Sequence, residues 1–140
     1  SVTVDGEVVD VNVRGTYKVT FNSEDKSGNK AEQKSVTVKV VDKIKPVITV
    51  DTTPIEIELG ETFTVPSATI SDNYDTGLSV IVGGDTVDVN VVGTYTVTFN
   101  REDNSGNKAE QKSVTVKVVD KIKPVIDVDT TPIEIELGET

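Results

Sequence analysis

Apolar and polar residues alternate one by one along most of the chain, without the three-to-four spacing of an amphipathic helix. The clearest segments are residues 55–59, 94–99 and 113–118, in which Ile, Val, Tyr and Phe occupy every second position. An alternation of period two places the apolar side chains on one face of an extended strand. The pattern therefore predicts half-buried β-strands and no helices.

Turn-forming residues separate these segments into six or seven short strands. Gly, Pro, Asn and Asp stand between the apolar runs and mark the turns. A strand with one apolar face must bury that face against a second layer, so two sheets are expected to close on each other. The predicted fold class is an all-β sandwich, with strands at 46–50, 55–59, 62–65, 78–82, 87–91, 94–99 and 113–118.

The same pattern returns after 78 residues. Residues 1–62 align without gaps on residues 79–140, and nine of the 62 positions differ, among them Arg14, which aligns with Val92. A fixed offset of this kind indicates tandem copies of one structural unit, and this length suits a small β-domain. We expect one complete domain at 42–119, the C-terminal part of a preceding copy at 1–41 and the N-terminal part of a following copy at 120–140.

Several short motifs of the repeat occur together in one known family. The complete unit resembles the bacterial immunoglobulin-like domain first noted in a pesticidal crystal protein, a relative of hyalin-repeat domains. The resemblance implies an immunoglobulin-like β-sandwich that occurs in tandem, in stalks or adhesins on bacterial surfaces. The motifs are Lys45-Pro46-Val47-Ile48, Glu58-Leu59-Gly60-Glu61-Thr62, Ser71-Asp72-Asn73, the segment from Val92-Gly93 to Phe99, Asp103-Asn104-Ser105-Gly106-Asn107 and Val114-Thr115-Val116.

Charge and composition exclude several classes of function. The net charge of −10 argues against nucleic acid and anionic membrane surfaces, both of which attract basic faces, but it is compatible with cations. No apolar run approaches the roughly 20 residues that span a bilayer. The chain has no His, the usual acid–base catalyst, and no base pattern beside a Ser or Thr nucleophile. We therefore expect a protein that is not an enzyme.

Acidic loops at one end of the domain have two interpretations, turn chemistry and a calcium site. In a seven-stranded immunoglobulin-like sandwich, the second-to-third and sixth-to-seventh loops lie at the end where the chain enters. Those loops and the entering linker are rich in the oxygen ligands that calcium takes. The candidate ligands are Asp42, Asp72, Asn73, Asp75 and Asp103, with Asp120 as the counterpart of Asp42 in the next copy. Turn chemistry alone is the favoured interpretation of these residues, because Asp and Asn also stabilise turns through their own backbone, and the calcium site is the alternative.

Tyrosines and outward glutamates have structural interpretations. Tyr95 follows a Gly turn and predicts a tyrosine corner, whose hydroxyl bonds to nearby backbone. Tyr74 lies in an acidic loop and is expected to pack on its own domain, with contact to a neighbouring domain or a ligand as the alternative. Glu56 and Glu58 alternate outward on a predicted strand, as on a solvated sheet edge.

The leading hypothesis is a structural stalk or fibre module of an extracellular bacterial surface protein, with calcium at its domain junctions. Its expected partners are adjacent repeats of the same chain and a homo-filament. The alternative is an adhesin module that binds a surface glycan or protein, which requires an exposed recognition cluster. Few aromatic residues, only 4% of the chain, are available for such a cluster, which favours the stalk.

Overall fold

The computed structural model describes residues 1–139, and within them the chain forms nine strands and no helix. Accordingly, no helix of this region is long and apolar enough to cross a membrane. The all-β prediction is confirmed, and β-branched Val, Thr and Ile supply most of the strand positions. The strands are β1 (Thr3–Gly6), β2 (Gly15–Asn22), β3 (Lys34–Val40), β4 (Val47–Val50), β5 (Ile55–Glu58), β6 (Ala68–Ser71), β7 (Ile81–Gly84), β8 (Gly93–Asn100) and β9 (Lys112–Val119).

Strands β4 to β9 form two sheets. The smaller sheet pairs β4 with β6 in antiparallel fashion, and the larger has the order β5-β9-β8-β7. Within the larger sheet β5 runs parallel to β9, whereas β7, β8 and β9 are antiparallel neighbours. Strand β5 is thus an edge strand of this sheet.

The core lies between these two sheets. Phe99 on β8 and Val114, Val116 and Val118 on β9 have no exposed surface, and Ile48 on β4 is buried against the same cluster. The inward residues on β8 and β9 are every second residue, as the alternation predicted. Because one face of each sheet is covered by the other, the arrangement is the expected two-layer sandwich.

Two predicted strands are wrong. Residues 62–65 form no strand, although Phe63 packs on the core, and the strand lies later, in β6. Residues 87–91 form a turn, in which the Asp88 carboxylate accepts a 2.9 Å hydrogen bond from the Asn90 N–H. Phe63 and Val87 pack on the core, but the backbone of neither segment pairs with a neighbouring strand. The run predicted at 78–82 is displaced, because β7 begins at Ile81.

Residues 1–41 contain an antiparallel sheet of order β1-β2-β3. Its register repeats that of β7-β8-β9: Gly15 faces Val40, and Gly93 faces Val118, 78 positions later in each strand. The two copies therefore build this part of the unit in the same way. Residues 120–139 form no strand. The domain limits 1–41, 42–119 and 120–140 stay a prediction, and Thr140 lies outside the described residues.

Candidate metal centre at the domain junction

Three carboxylates from separate parts of the chain converge where the segment after β3 leads into the sandwich of β4 to β9. Asp42 lies in the linker between β3 and β4, Asp72 follows β6 and Asp103 follows β8. One carboxylate oxygen from each lies within 4.8 Å of the others. The fold thus brings together three of the six residues that the sequence analysis named as metal ligands.

Asp103 is the most deeply placed of the three, with 4% of its surface exposed. Its Oδ1 accepts hydrogen bonds from the backbone N–H groups of Ser105 at 2.9 Å and Asn107 at 2.8 Å, and its Oδ2 accepts from Asn107 Nδ2 at 2.8 Å. Burial alone would raise the pKa of Asp103, but these hydrogen bonds outweigh it, and the Arg14 charge adds to them. The pKa therefore lies below the ordinary value, and the group is a carboxylate at neutral pH.

Asp72 contains the unsatisfied atom of the cluster. Its Oδ2 accepts the backbone N–H groups of Tyr74 at 3.1 Å and Asp75 at 2.7 Å, which closes the loop after β6. Its Oδ1 is buried and has no hydrogen-bond partner. Buried polar atoms nearly always have a partner, so an orphaned carboxylate oxygen beside two other carboxylates indicates a place for a cation.

Asp42 connects the linker to both loops. Its Oδ1 accepts the Ile44 N–H and the Asn73 Nδ2, both at 3.0 Å. The Ser105 hydroxyl donates to its Oδ2 at 3.5 Å, and Asn107 Nδ2 donates to its backbone carbonyl at 3.1 Å. The linker is therefore held by side chains from the loops after β6 and after β8.

The other three predicted ligands have different positions. Asn73 lies next to the cluster through its bond to Asp42. Asp75 joins the two loops, because its Oδ2 accepts the Asn104 N–H at 2.6 Å. Asp120 is not part of the cluster, and its Oδ1 accepts the Ile122 N–H at 3.1 Å, just as Asp42 accepts that of Ile44.

The chemistry of this donor set fits a hard divalent cation. Calcium prefers carboxylate and carbonyl oxygens and tolerates irregular geometry. Asp42, Asp72 and Asp103 offer such oxygens, and the orphaned Oδ1 of Asp72 has no protein donor to satisfy it. Turn chemistry accounts for the hydrogen bonds of Asp103, whose loop it closes, but leaves that oxygen unexplained.

Arg14 and Tyr74 form a contact that the sequence analysis missed. The backbone N–H of Arg14 donates to the Tyr74 hydroxyl at 3.3 Å, and the guanidinium lies 5.8 Å from the centre of the Tyr74 ring. This is the alternative given for Tyr74, contact with a neighbouring domain, because the ring meets Arg14 of the preceding copy. The available signal was that position 14 is one of the nine that differ between copies.

At the opposite end of the domain, Glu56 and Glu58 contact the outgoing linker. Both lie on the edge strand β5, as predicted. Glu56 forms an ion pair with Lys121, and Glu58 Oε1 accepts the Lys121 N–H at 2.8 Å. The hydrogen bond and the charge of Lys121 lower the pKa of Glu56, and the same contacts raise the pKa of Lys121. These glutamates thus contribute to linker attachment.

Comparisons with known proteins agree with this architecture. Residues 48–118 match the family described as "Bacterial surface protein, Ig-like domain", and residues 2–40 match the Internalin K domain (D3/D4). Internalin I of Listeria monocytogenes serotype 4b is 36% identical over 136 residues, which cover 89% of this chain and 7% of that protein. Hyalin of Strongylocentrotus purpuratus is 36% identical over 138 residues, which cover 89% of this chain and 11% of hyalin.

An 81.3 kDa protein of Acholeplasma phage L2 is also 36% identical, over 119 residues that cover 81% of this chain and 16% of the phage protein. The chain therefore spans less than one fifth of the length of each of these three relatives.

The two-layer sandwich and the family match define an immunoglobulin-like module of a bacterial surface protein. The chain belongs to the family of bacterial surface-protein Ig-like domains, since residues 48–118 match that family over half of the chain. The resemblance stated from the sequence motifs is confirmed. Family membership establishes the fold and the surface-protein class.

Proposed function

We propose that this chain is a structural stalk module of an extracellular bacterial surface protein, without enzymatic activity, whose domain junctions are stiffened by calcium. The single observation that supports this proposal is the convergence of Asp42, Asp72 and Asp103. One of these residues belongs to the linker and two belong to loops of the domain that follows. A cation bound by all three would join the linker to the domain.

Charge neutralisation is the physical reason why a cation would stiffen the junction. Three carboxylates at such short separations repel one another, and the net charge of −10 adds to this repulsion. A divalent cation replaces the repulsion by attraction to a common centre. Its binding also stabilises the folded domain by mass action, because the unfolded chain does not hold the three carboxylates together.

Tandem repetition turns a stiff junction into a long rod. Strands of about 8 residues at ~3.3 Å per residue, with a linker, give roughly 35–40 Å per repeat. Adjacent repeats of the same chain are the partners that this proposal requires, and association of such rods into a homo-filament is its extension.

Calcium titration of the 140-residue chain tests the cation. We expect a saturable heat by calorimetry and a calcium-dependent rise in melting temperature, both lost in Asp42→Asn. The matched control is Asp120→Asn, since Asp120 makes the same local turn bond but lies apart from the cluster. The cation part of the proposal fails if wild-type protein gives neither heat nor melting shift, or if Asp120→Asn abolishes them equally.

The same chain distinguishes a stalk from an adhesin. A stalk module is expected to be monomeric or to assemble only with itself, and to give no signal on a glycan array. Saturable binding of a surface glycan or protein by one repeat would favour the adhesin module instead.

A further inference from the structure

Arg14 reaches across the junction from the preceding copy into the loop after β8. Its Nη1 donates to the Asn104 carbonyl at 3.1 Å and to the Ser105 hydroxyl at 2.6 Å. Its guanidinium also lies over the ring of Tyr74, in the loop after β6. One side chain of the preceding copy thus contacts both loops that carry the acidic cluster.

The contact extends to the linker through Ser105. The Ser105 hydroxyl accepts from Arg14 and donates to Asp42 Oδ2 at 3.5 Å. Arg14 also lowers the pKa of Asp103 through its charge, although burial and hydrogen bonds have larger effects. The guanidinium is therefore a protein-borne positive charge bound to the loop that carries Asp103. Its planar group suits simultaneous hydrogen bonding and stacking.

Within residues 1–139 this contact occurs at the junction before Asp42, and the aligned position before Asp120 is not an arginine. Residue 92, which stands 78 positions after Arg14, is valine, although the following segment Asp120–Pro124 is identical to Asp42–Pro46. A valine side chain has no donor and no charge with which to reach an adjoining loop. The two linkers are therefore identical in sequence, but Arg14 precedes the first by 28 positions and Val92 precedes the second by the same distance.

We propose that Arg14 is a repeat-specific pin, which orders the junction at Asp42 without a bound cation, whereas a junction preceded by valine depends on the cation. Tyr74 is the residue of the following domain on which the Arg14 guanidinium stacks. Ser105 connects Arg14 to the linker residue Asp42 by hydrogen bonds. A stalk that contains both kinds of copy would then have joints that need no cation and joints that calcium controls. The part of the proposal in which Arg14 orders the junction depends only on the contacts of Arg14. The part in which a junction preceded by valine needs the cation rests on the proposed function.

Distance measurements between two spin labels test the pin. The chain has no cysteine, so Thr37→Cys and Thr115→Cys introduce unique labelling sites. These threonines are equivalent outward positions on β3 and β9, on either side of the junction and away from its contacts. Double electron–electron resonance in calcium-free buffer then reports the width of the distance distribution between the two copies.

We expect Arg14→Val to broaden this distribution at least twofold in calcium-free buffer. Val92 occupies the equivalent position in a folded copy, so valine is compatible with the local backbone. The matched control is Val92→Arg, which adds the same group away from this junction and is expected to leave the width unchanged. The pin is refuted if the distributions of Arg14→Val and wild type coincide.

A second variant removes the partner of Arg14 in the following domain, Tyr74. Tyr74→Ala is also expected to broaden the distribution, because it removes the ring below the guanidinium and the acceptor of the Arg14 backbone N–H. The double variant should broaden it by less than the sum of the two single variants, because the guanidinium–ring contact is lost in both. Additive broadening in the double variant would overturn the assignment of Tyr74 as the partner of Arg14. Unchanged far-ultraviolet circular dichroism shows that the sheets of both variants remain folded.

Calcium separates this proposal from the proposed function. If both hold, calcium narrows the broad distribution of Arg14→Val and changes the wild-type distribution little. If calcium leaves Arg14→Val broad, the pin stands and the cation-stiffened junction fails. If wild-type protein without calcium is already as broad as Arg14→Val and both narrow with calcium, the cation proposal stands and the pin is refuted.

Discussion

The hydroxyl of Tyr95 donates a 2.9 Å hydrogen bond to the carbonyl oxygen of Val91, four residues earlier in the chain. Tyr17 makes the same bond to Val13 at 2.8 Å in the preceding copy. The predicted tyrosine corner is thus confirmed in both copies. The bond fixes the turn that leads into β8, and it connects this turn to the half-buried ring on the strand that follows.

Removal of this hydroxyl is expected to weaken the complete domain. We expect Tyr95→Phe to lower its free energy of unfolding by about 0.5–1.5 kcal/mol, the usual net value of one hydrogen bond. Urea denaturation measures the change. Tyr17→Phe is the control, because it removes the same bond from the preceding copy. An equal loss in the main transition from both variants would contradict a local role for Tyr95.

A glycine in the left-handed region makes a second prediction. Gly84 has a φ of 82°, and a Cβ there would clash with the backbone carbonyl of Thr96 on the paired strand β8. We expect Gly84→Ala to lower the free energy of unfolding by more than the roughly 1–2 kcal/mol of left-handed backbone alone. Gly77→Ala is the control, since Gly77 has a φ of 72° and open space around it. Equal losses by urea denaturation would exclude the clash.

The buried ring of Phe99 provides a third prediction. Phe99 has no exposed surface, whereas the equivalent Phe21 is only partly buried. We expect Phe99→Ala to lower the free energy of unfolding by about 3–5 kcal/mol, through lost burial and the cavity left behind. Thermal or urea denaturation of the main transition measures this. Phe21→Ala should change that transition little, and a comparable loss would show that the two copies share one core.

Acid is expected to weaken the junction through Asp103. Its pKa is lowered in the folded state from the ordinary value of 3.8, so protonation favours the unfolded chain. The stabilisation is complete well above pH 3.8 and is lost as pH falls through the lower, folded-state pKa. Urea midpoints between pH 7 and pH 2.5 measure the loss. The urea midpoint of Asp103→Asn should be lower than that of the wild type at pH 7 and should fall less between pH 7 and pH 2.5. If the midpoints of the two proteins fall in parallel, Asp103 does not contribute to the loss of stability in acid.

Local periodicity predicted the strands whose apolar residues form the centre of the core. Val114, Val116 and Val118 alternate with outward residues and lie where the pattern placed them. The same signal failed at 62–65 and 87–91, because Phe63 is partly buried without strand pairing and Asp88 closes a turn. Alternation records which side chains face the core, whereas a strand also needs a neighbouring backbone with free hydrogen-bonding groups.

The candidate site also has features that the sequence predicted and features that only the structure shows. Clusters of Asp and Asn in turns indicated both acidic loops and the linker residue Asp42. Asp and Asn favour turns and offer side-chain oxygens whatever the tertiary structure is, so these positions could be recognised from the sequence. The contact of Arg14 with Tyr74, 60 residues apart, left no local trace beyond one difference between copies.

The linear order of residues was thus sufficient for the repeat, the alternation and the acidic character of the junction. The folded chain alone decided which edges pair, which carboxylates converge and which residue of one copy contacts the next. Periodicity and turn propensity depend on residues that are close in sequence. The strand pairs, the carboxylate cluster and the Arg14 contact join residues that are distant in sequence, and only the packing of the two sheets and their loops brings them together.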